Sequence, residues 1–503
     1  MLRTILSLLL LFLIASCGSR EEIVARYDLE KLVWHARLIE QRASIDQLRG
    51  SERDLDRVIA AYKRVIEDDP LSKPHAGSWE PAVTKDIRRI LLGSRITLAR
   101  LTFLGERYLQ PGIYFEDPFA DPALQIAGAA GRRQRIARSL YGIDGAALPE
   151  MECETYFRQI VGSDEFWTTP LAIGDTFLDI PVFLARAYKA NGDTHSFDDV
   201  AELAETFYAR VIRVWPDSMI AEKARLHHIR LLTVREEWRD AARQIDEMLA
   251  HSYGRGIASR LLFMKARIVD AGMEQPGAAT RIYTTLVNDY PGSPESRMGG
   301  VCLAMIRARS GDTEIARTML RTIEKDDAAS DAQKGLAMLA RAIQLRNEGS
   351  WNESLVILRR LQNLYPYTPA ALEAPILITA HFMESGDSVL AIRSLERSNE
   401  YYLPLLRRGN ALFNQGYVPE DYLIENYLVA GRVREVVQLL LEESRRWGWS
   451  GNAAALLKSA HLCANAAGDE ERAQEILKKS LALFSQTRYA TVAGNSLAAL
   501  ERN

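Results

Sequence analysis

Carboxylates and imidazoles are the groups from which acid–base or metal chemistry would be built, and in this chain their spacing suits neither. Glu152 and Glu154 stand two residues apart with nothing nearby to lift a pKa as a general acid requires. His227 and His228 are adjacent. Neighbouring side chains on a helix point about 100° apart, so these two do not form the one-face pair of a zinc motif. His195, His251 and His461 are isolated, and Cys153, Cys302 and Cys463 lack metal-ligand spacing. Cys302 and Cys463 fall in apolar helical stretches and read as small buried hydrophobes. No Gly-x-Ser-x-Gly elbow, phosphate loop or dinucleotide fingerprint occurs. The expectation is a protein that is not an enzyme and that holds no metal and no cofactor.

The fourth cysteine is different. Met1-Leu2-Arg3 is a positive start, Ile5 to Ile14 is a leucine-dominated run, and Ile14-Ala15-Ser16-Cys17 closes it with small residues. The run is too short for a membrane span of about 20 residues, so residues 1–16 read as a cleaved secretory leader. Ile14-Ala15-Ser16-Cys17 resembles the bacterial lipobox, and the whole leader is similar to that of a bacterial lipoprotein. The resemblance implies diacylglycerol on the Cys17 thiol, cleavage before Cys17, and acylation of the new amino group with a palmitate-like chain. Several acyl chains hold a protein to a bilayer stably, where one does so only marginally. Gly18 and Ser19 follow in place of the Asp that retains such proteins at the inner membrane. By the same resemblance the chain belongs to the outer membrane, facing the periplasm. A plain signal peptide with an incidental cysteine is the alternative.

The body behind this leader has the composition of a folded chain: 503 residues, 47% hydrophobic, 26% charged and a formal net charge of -3. No basic excess points to nucleic acid. The Arg132-Arg133-Gln134-Arg135 cluster with Arg138 is a solvated helix face or a patch for acidic lipid or a partner.

Helices are the elements that must position whatever function the body has. Trp215-Pro216-Asp217-Ser218, Tyr290-Pro291-Gly292-Ser293 and Tyr365-Pro366-Tyr367-Thr368 place prolines 75 residues apart, and a fixed period marks a stacked-repeat protein. Between them Gly272, Gly311, Gly349, Gly386, Gly431 and Gly468 mark turns at gaps of 39, 38, 37, 45 and 37 residues. Small residues follow at the start of the next apolar helix: Ala279, Ala316, Ser354, Ala391 and Ala473, with Val436 in the remaining unit. Glycine lets the chain take φ > 0 between helices, the small residue lets the helices approach, and proline stops the second helix. Glu236-Glu237-Trp238 and Gly192-Asp193 mark two further turns. Two helices cannot bury their apolar faces alone, so neighbouring hairpins must stack.

These segments resemble tetratricopeptide repeats, most closely over residues 345–366, with a period of 37–39 against about 34 in the family. The resemblance spans roughly residues 170–490 and implies an all-α fold, an α-solenoid of stacked antiparallel helix hairpins in a TPR-like superhelix. The expected organisation is a leader over 1–16 and an irregular helical N-terminal region over 17–150. A solenoid over 151–405 follows, and then hairpins over 406–503 after an insertion around Arg407–Asp421.

Solenoids present surfaces, so the expected function is a membrane-anchored protein–protein interaction scaffold of the bacterial envelope. Its partners would be envelope proteins or peptides and, through Cys17, the membrane. In plan it is similar to the tetratricopeptide lipoprotein of the outer-membrane β-barrel assembly machinery. The family's first helices line its inner face. On that alignment Met298, Val301, Met305 and Arg309 face inward from one unit, and Leu336, Leu339, Ile343, Arg346 and Asn347 from the next. The candidate partner-binding residues are therefore Met305, Arg309, Ile343, Arg346 and Asn347. The apolar members fit either inter-repeat core or an extended apolar groove. A second reading is a surface glycan- or ligand-capturing lipoprotein of SusD-like type, with exposed aromatics at Tyr114-Phe115 and Phe166-Trp167.

Overall fold

The computed structural model describes residues 18–43, 52–109, 140, 151–168, 174–190, 192–250, 255–407, 419–446, 448–485 and 487–502. Cys17, Tyr114-Phe115, His251, the arginine cluster at 132–138 and most of the insertion after Arg407 lie outside these residues. Among the described residues there are 22 α-helices and no strand. The chain is an all-α protein of stacked helix hairpins. It divides into two compact units, one of residues 1–108, 150–181 and 206–224, the other of residues 109–149, 182–205 and 225–503.

In the first unit α1 (Gly18–Ala43), α2 (Glu52–Glu67) and α3 (Pro81–Leu109) pack around Leu29, Ala36, Val58, Tyr62, Ile87 and Leu98. The buried end of Tyr62 is satisfied by donating to Glu40 at 2.8 Å, and Glu40 also pairs with Arg100. Beside α4 (Glu152–Val161) and the short α5 (Asp164–Thr168) lies an aromatic cluster. Phe157 meets Phe177 and Phe207 at 5.2 and 5.0 Å between ring centroids, and Trp167 stacks on Trp215 at 5.9 Å. The indole of Trp167 donates to the Val161 carbonyl at 2.8 Å, which removes the cost of burying its N–H. Phe166 and Trp167 are therefore core residues, 1% and 8% exposed. The expectation that they stand out from an insertion is corrected: their neighbours Phe177 and Phe207 arrive from sequence positions that local pattern does not connect.

The helices α6 (Asp175–Ala190), α7 (Thr194–Val214) and α8 (Met219–Val234) follow. The second unit then runs through α9 (Trp238–Ala250), α10 (Arg255–Arg267), α11 (Pro276–Asp289), α12 (Pro294–Arg309), α13 (Thr313–Lys325) and α14 (Asp331–Asn347). It continues with α15 (Trp351–Leu364), α16 (Pro369–Glu384), α17 (Ser388–Arg407), α18 (Pro419–Val429), α19 (Val433–Glu443), α20 (Gly448–Asn465), α21 (Glu470–Leu483) and α22 (Arg488–Leu500). The hairpins draw on a shared set of local causes. Ser293, Ser330 and Thr368 cap α12, α14 and α16 by accepting from the backbone N–H three residues on, satisfying a donor the helix start would leave orphaned. The turn glycines from Gly311 to Gly468 take φ between +63° and +96°, where an L side chain is strained. The small residues Ala279, Ala316, Ser354, Ala391 and Ala473 are all buried, as is Val436. Ser354 also donates its hydroxyl to the Ala342 carbonyl of the preceding helix at 2.7 Å.

Gly272 departs from this scheme. It lies in a π-helical turn, Ile268–Gly272, and the positive φ falls instead on Glu274, at +54°. Here glycine answers a close approach, because a Cβ on Gly272 would lie 2.6 Å from the Trp238 ring.

Near the C-terminal end α18 is buried from Pro419 to Tyr427, as a helix enclosed on every side must be. Leu140, 1% exposed, belongs to the same core cluster. His461 Nδ1 lies 2.8 Å from the Leu140 carbonyl. A carbonyl only accepts, so Nδ1 carries the proton and Nε2 accepts from the Ser496 hydroxyl at 3.1 Å. Beside it Lys458, on α20, reaches Asp421 at 2.7 Å and Glu420 at 3.1 Å, all three side chains 7% exposed or less.

Candidate functional site

Two layers arise from the hairpin stack of the second unit. Successive first helices (α10, α12, α14, α16 and α18) pack on one another as well as on their own second helices, whereas successive second helices meet at most marginally. A first helix is thus enclosed on several sides, and the sequence answers with long buried runs such as Ala370–Thr379 in α16. The second helices stay apart and leave furrows between them.

The residues expected to face inward divide accordingly. Val301, Leu336 and Leu339 are buried inter-repeat core, and Met298, Met305 and Ile343 are partly buried against it. For the apolar members, packing rather than a continuous groove accounts for the pattern. Arg309, Arg346 and Asn347 sit in the last turns of α12 and α14, where cations favour the helix dipole. Arg346 pairs with Glu384 at the end of α16. Arg309 lies 3.8 Å from Asp270, whose carboxyl is raised by burial against the opposing influence of Arg309 and Arg267. Asn347 is exposed. These ends therefore form a row of ion pairs joining consecutive repeats, with Met305 and Ile343 one turn below them at equivalent positions 38 residues apart.

A second surface was not visible as a motif. Between α15 and α17 runs a furrow of about 460 Å³ floored by Pro375, Ile378 and Phe382 of α16. Those three positions lie on one helical face at i, i+3 and i+7. Arg359, Arg393 and Arg397 line the walls, are exposed and make no ion pair among the described residues, while Glu400 stands at the same furrow. Val356 and Val389, 66% and 59% exposed, flank the arginines a turn away. A second helix needs one apolar stripe for its core, and the Val389-Leu390-Ala391-Ile392 run exceeds that need; this excess is the signal available in the sequence.

The titratable groups considered for chemistry are engaged otherwise. Glu152 pairs with Lys63 at 2.8 Å and Glu154 with Arg158 at 2.8 Å. His228 Nδ1 meets Gln244 Nε2 at 3.0 Å. Cys153, Cys302 and Cys463 are free, buried thiols, pushed up from the ordinary thiol range by burial above all. Among the described residues no group of His, Cys, Asp and Glu is placed to hold a metal, and no helix is long and apolar enough to cross a membrane.

No protein-family model matches the sequence, and no curated protein does. Solved structures give distant likenesses. A Rap protein complexed with competence and sporulation factor shares 12% identity at a TM-score of 0.35, over 72% of this chain and 99% of that one. Yeast Tom70 shares 12% at 0.35, over 93% and 96%. The Cut9–Hcn1 hetero-tetramer of the APC/C shares 13% at 0.27, over 95% and 96%.

Proposed function

We propose that this chain is a lipid-tethered interaction scaffold of the bacterial cell envelope, anchored through acylated Cys17 in the outer membrane and facing the periplasm. Its stacked hairpins hold envelope proteins or peptides. The observation that carries the reading is the furrow between α15 and α17, where arginines without ion pairs stand over an apolar floor. Exposed apolar side chains grouped with unpaired charge mark a surface for a partner. Helix-in-groove docking lays an amphipathic helix of the partner along the furrow against Phe382 and Leu390, with its acidic residues opposite Arg393 and Arg397. The row at Arg309, Arg346 and Asn347 with Met305 and Ile343 offers a second contact strip. Glycan capture loses the support of Phe166 and Trp167, which are buried in the aromatic core.

The test is crosslinking in intact cells from photoreactive residues placed singly at Arg393, Arg309 and Arg346. A discrete envelope protein crosslinked from one of these positions is the expected result. Background at all three would sink the scaffold reading. Palmitate labelling that is lost with Cys17→Ala checks the anchor separately.

A further inference from the structure

The helix α1 has two apolar faces. One, with Leu29 and Ala36, is buried in the core of its unit. The other is bare: Ile23, Val24, Tyr27 and Trp34 are 55%, 53%, 56% and 65% exposed. At 100° per residue these four fall within an arc of about 100°, roughly opposite the buried face. The stripe runs from Ile23 to Trp34, 12 residues and about 16 Å of helix. An amphipathic surface helix needs only one apolar face, so the second is unexplained by the fold.

We infer that this stripe is a membrane-contacting surface that lays α1 on an anionic bilayer, an inference that rests on the proposed acylation of Cys17. Three observations select a bilayer as the occupant. The described part of the helix already includes Gly18, the residue after the proposed acylation position, and Ile23 lies about 8 Å along the helix from Gly18. The stripe has the make-up of an interfacial helix, with Trp and Tyr rings at the headgroup level. The Lys31 ammonium lies over the Tyr27 ring, 4.3 Å from its centroid, and 3.5 Å from Asp28, so it is engaged on the helix itself and holds the ring at the surface. Finally, the stripe borders a groove of about 690 Å³ against α3, lined also by Arg37, Arg89 and Glu30, the last of these held by Arg26 at 3.0 Å. Neither arginine makes an ion pair among the described residues, and both suit anionic headgroups. The acyl chains and the helix then act as two linked signals, and the second binding event benefits from a high effective concentration.

The experiment uses the acylated chain reconstituted into vesicles of phosphatidylethanolamine and phosphatidylglycerol with brominated acyl chains. Trp34→Cys carries an environment-sensitive fluorophore; Cys153, Cys302 and Cys463 are buried, and the Cys17 thiol is blocked in the acylated chain. Arg239→Cys, on a separate exposed site, is the control. The expected result is a blue-shifted label at position 34, quenched by bromine, and an unquenched control. A chain with Cys17→Ser should still sediment with the vesicles, about tenfold more weakly once Tyr27→Ser and Trp34→Ser are added. An acylated chain whose position 34 label is not quenched overturns the inference. So does a stripe that instead drives self-association with no preference for vesicles. Absence of palmitate on Cys17 with vesicle binding retained would refute the anchor and leave the surface standing.

Discussion

Trp351 stacks on His381 with ring centroids 3.6 Å apart and planes inclined by 18°. The indole opens α15 and the imidazole belongs to α16, so one ring pair joins consecutive hairpins. Phe382 closes edge-on to the same indole at 5.8 Å. Trp351→Ala removes both contacts and should cost about 2 kcal/mol. Urea unfolding followed by circular dichroism checks this, and a loss under 0.5 kcal/mol would show the stack to be incidental.

Three imidazoles should make stability depend on pH. Burial, and then Arg346, hold His381 below the usual histidine range, and burial does the same for His461 and His228. Their unfolded forms take up protons near pH 6.5, before the folded forms do. The stabilising contribution is therefore present above about pH 6.5 and is lost as pH falls through that value. Denaturation midpoints at pH 7.5 and 5.5 should fall in that order. His461→Gln, which can still donate to Leu140, should narrow the difference.

Lys458 is the cation that Asp421 and Glu420 share inside the C-terminal core. The two carboxylates hold the ammonium above its ordinary range despite burial, while burial raises Glu420. Lys458→Met leaves two buried acids facing each other and should cost about 3–5 kcal/mol. Adding Glu420→Gln and Asp421→Asn should return part of it. A triple variant no more stable than the single one would assign the loss to packing.

Gly272→Ala tests the close approach of Trp238. The added methyl meets the ring and should cost about 1–3 kcal/mol, whereas Gly277→Ala, with open space around it, should cost little. Combining Gly272→Ala with Trp238→Leu should be less than additive. Additivity would place the strain elsewhere.

The hairpin plan was legible because its causes are local. Gly349 ends one helix, Ser354 allows the next to come close, and Thr368 caps the one after; each acts within a few residues of its own position. Relations over long sequence distances were hidden. Phe166 and Trp167 looked like free aromatics until Phe207 and Trp215 closed over them. Gly272 looked like its fellow turn glycines because the π turn that moves positive φ to Glu274 leaves no mark in the spacing. At the inner helix ends the residue types were readable, but Arg346 could be seen as paired only once Glu384 stood beside it. The furrow between α15 and α17 depends on two second helices staying apart, which no single helix records.

The bond between His461 and Leu140 spans 321 residues, in a fold whose other contacts mostly join neighbours. A chain emerging from its N-terminus at about 5–20 residues per second completes the Leu140 site only about 16–64 s after Leu140 itself appears. Closing that loop costs about 2 kcal/mol more than closing a hairpin-sized one of 38 residues. The upstream repeats can form as they arrive, but the last core cannot. Its assembly is thus a late, single event that reports the chain to be whole, and a product truncated before His461 would keep its early hairpins while leaving Leu140 exposed to holdases and proteases.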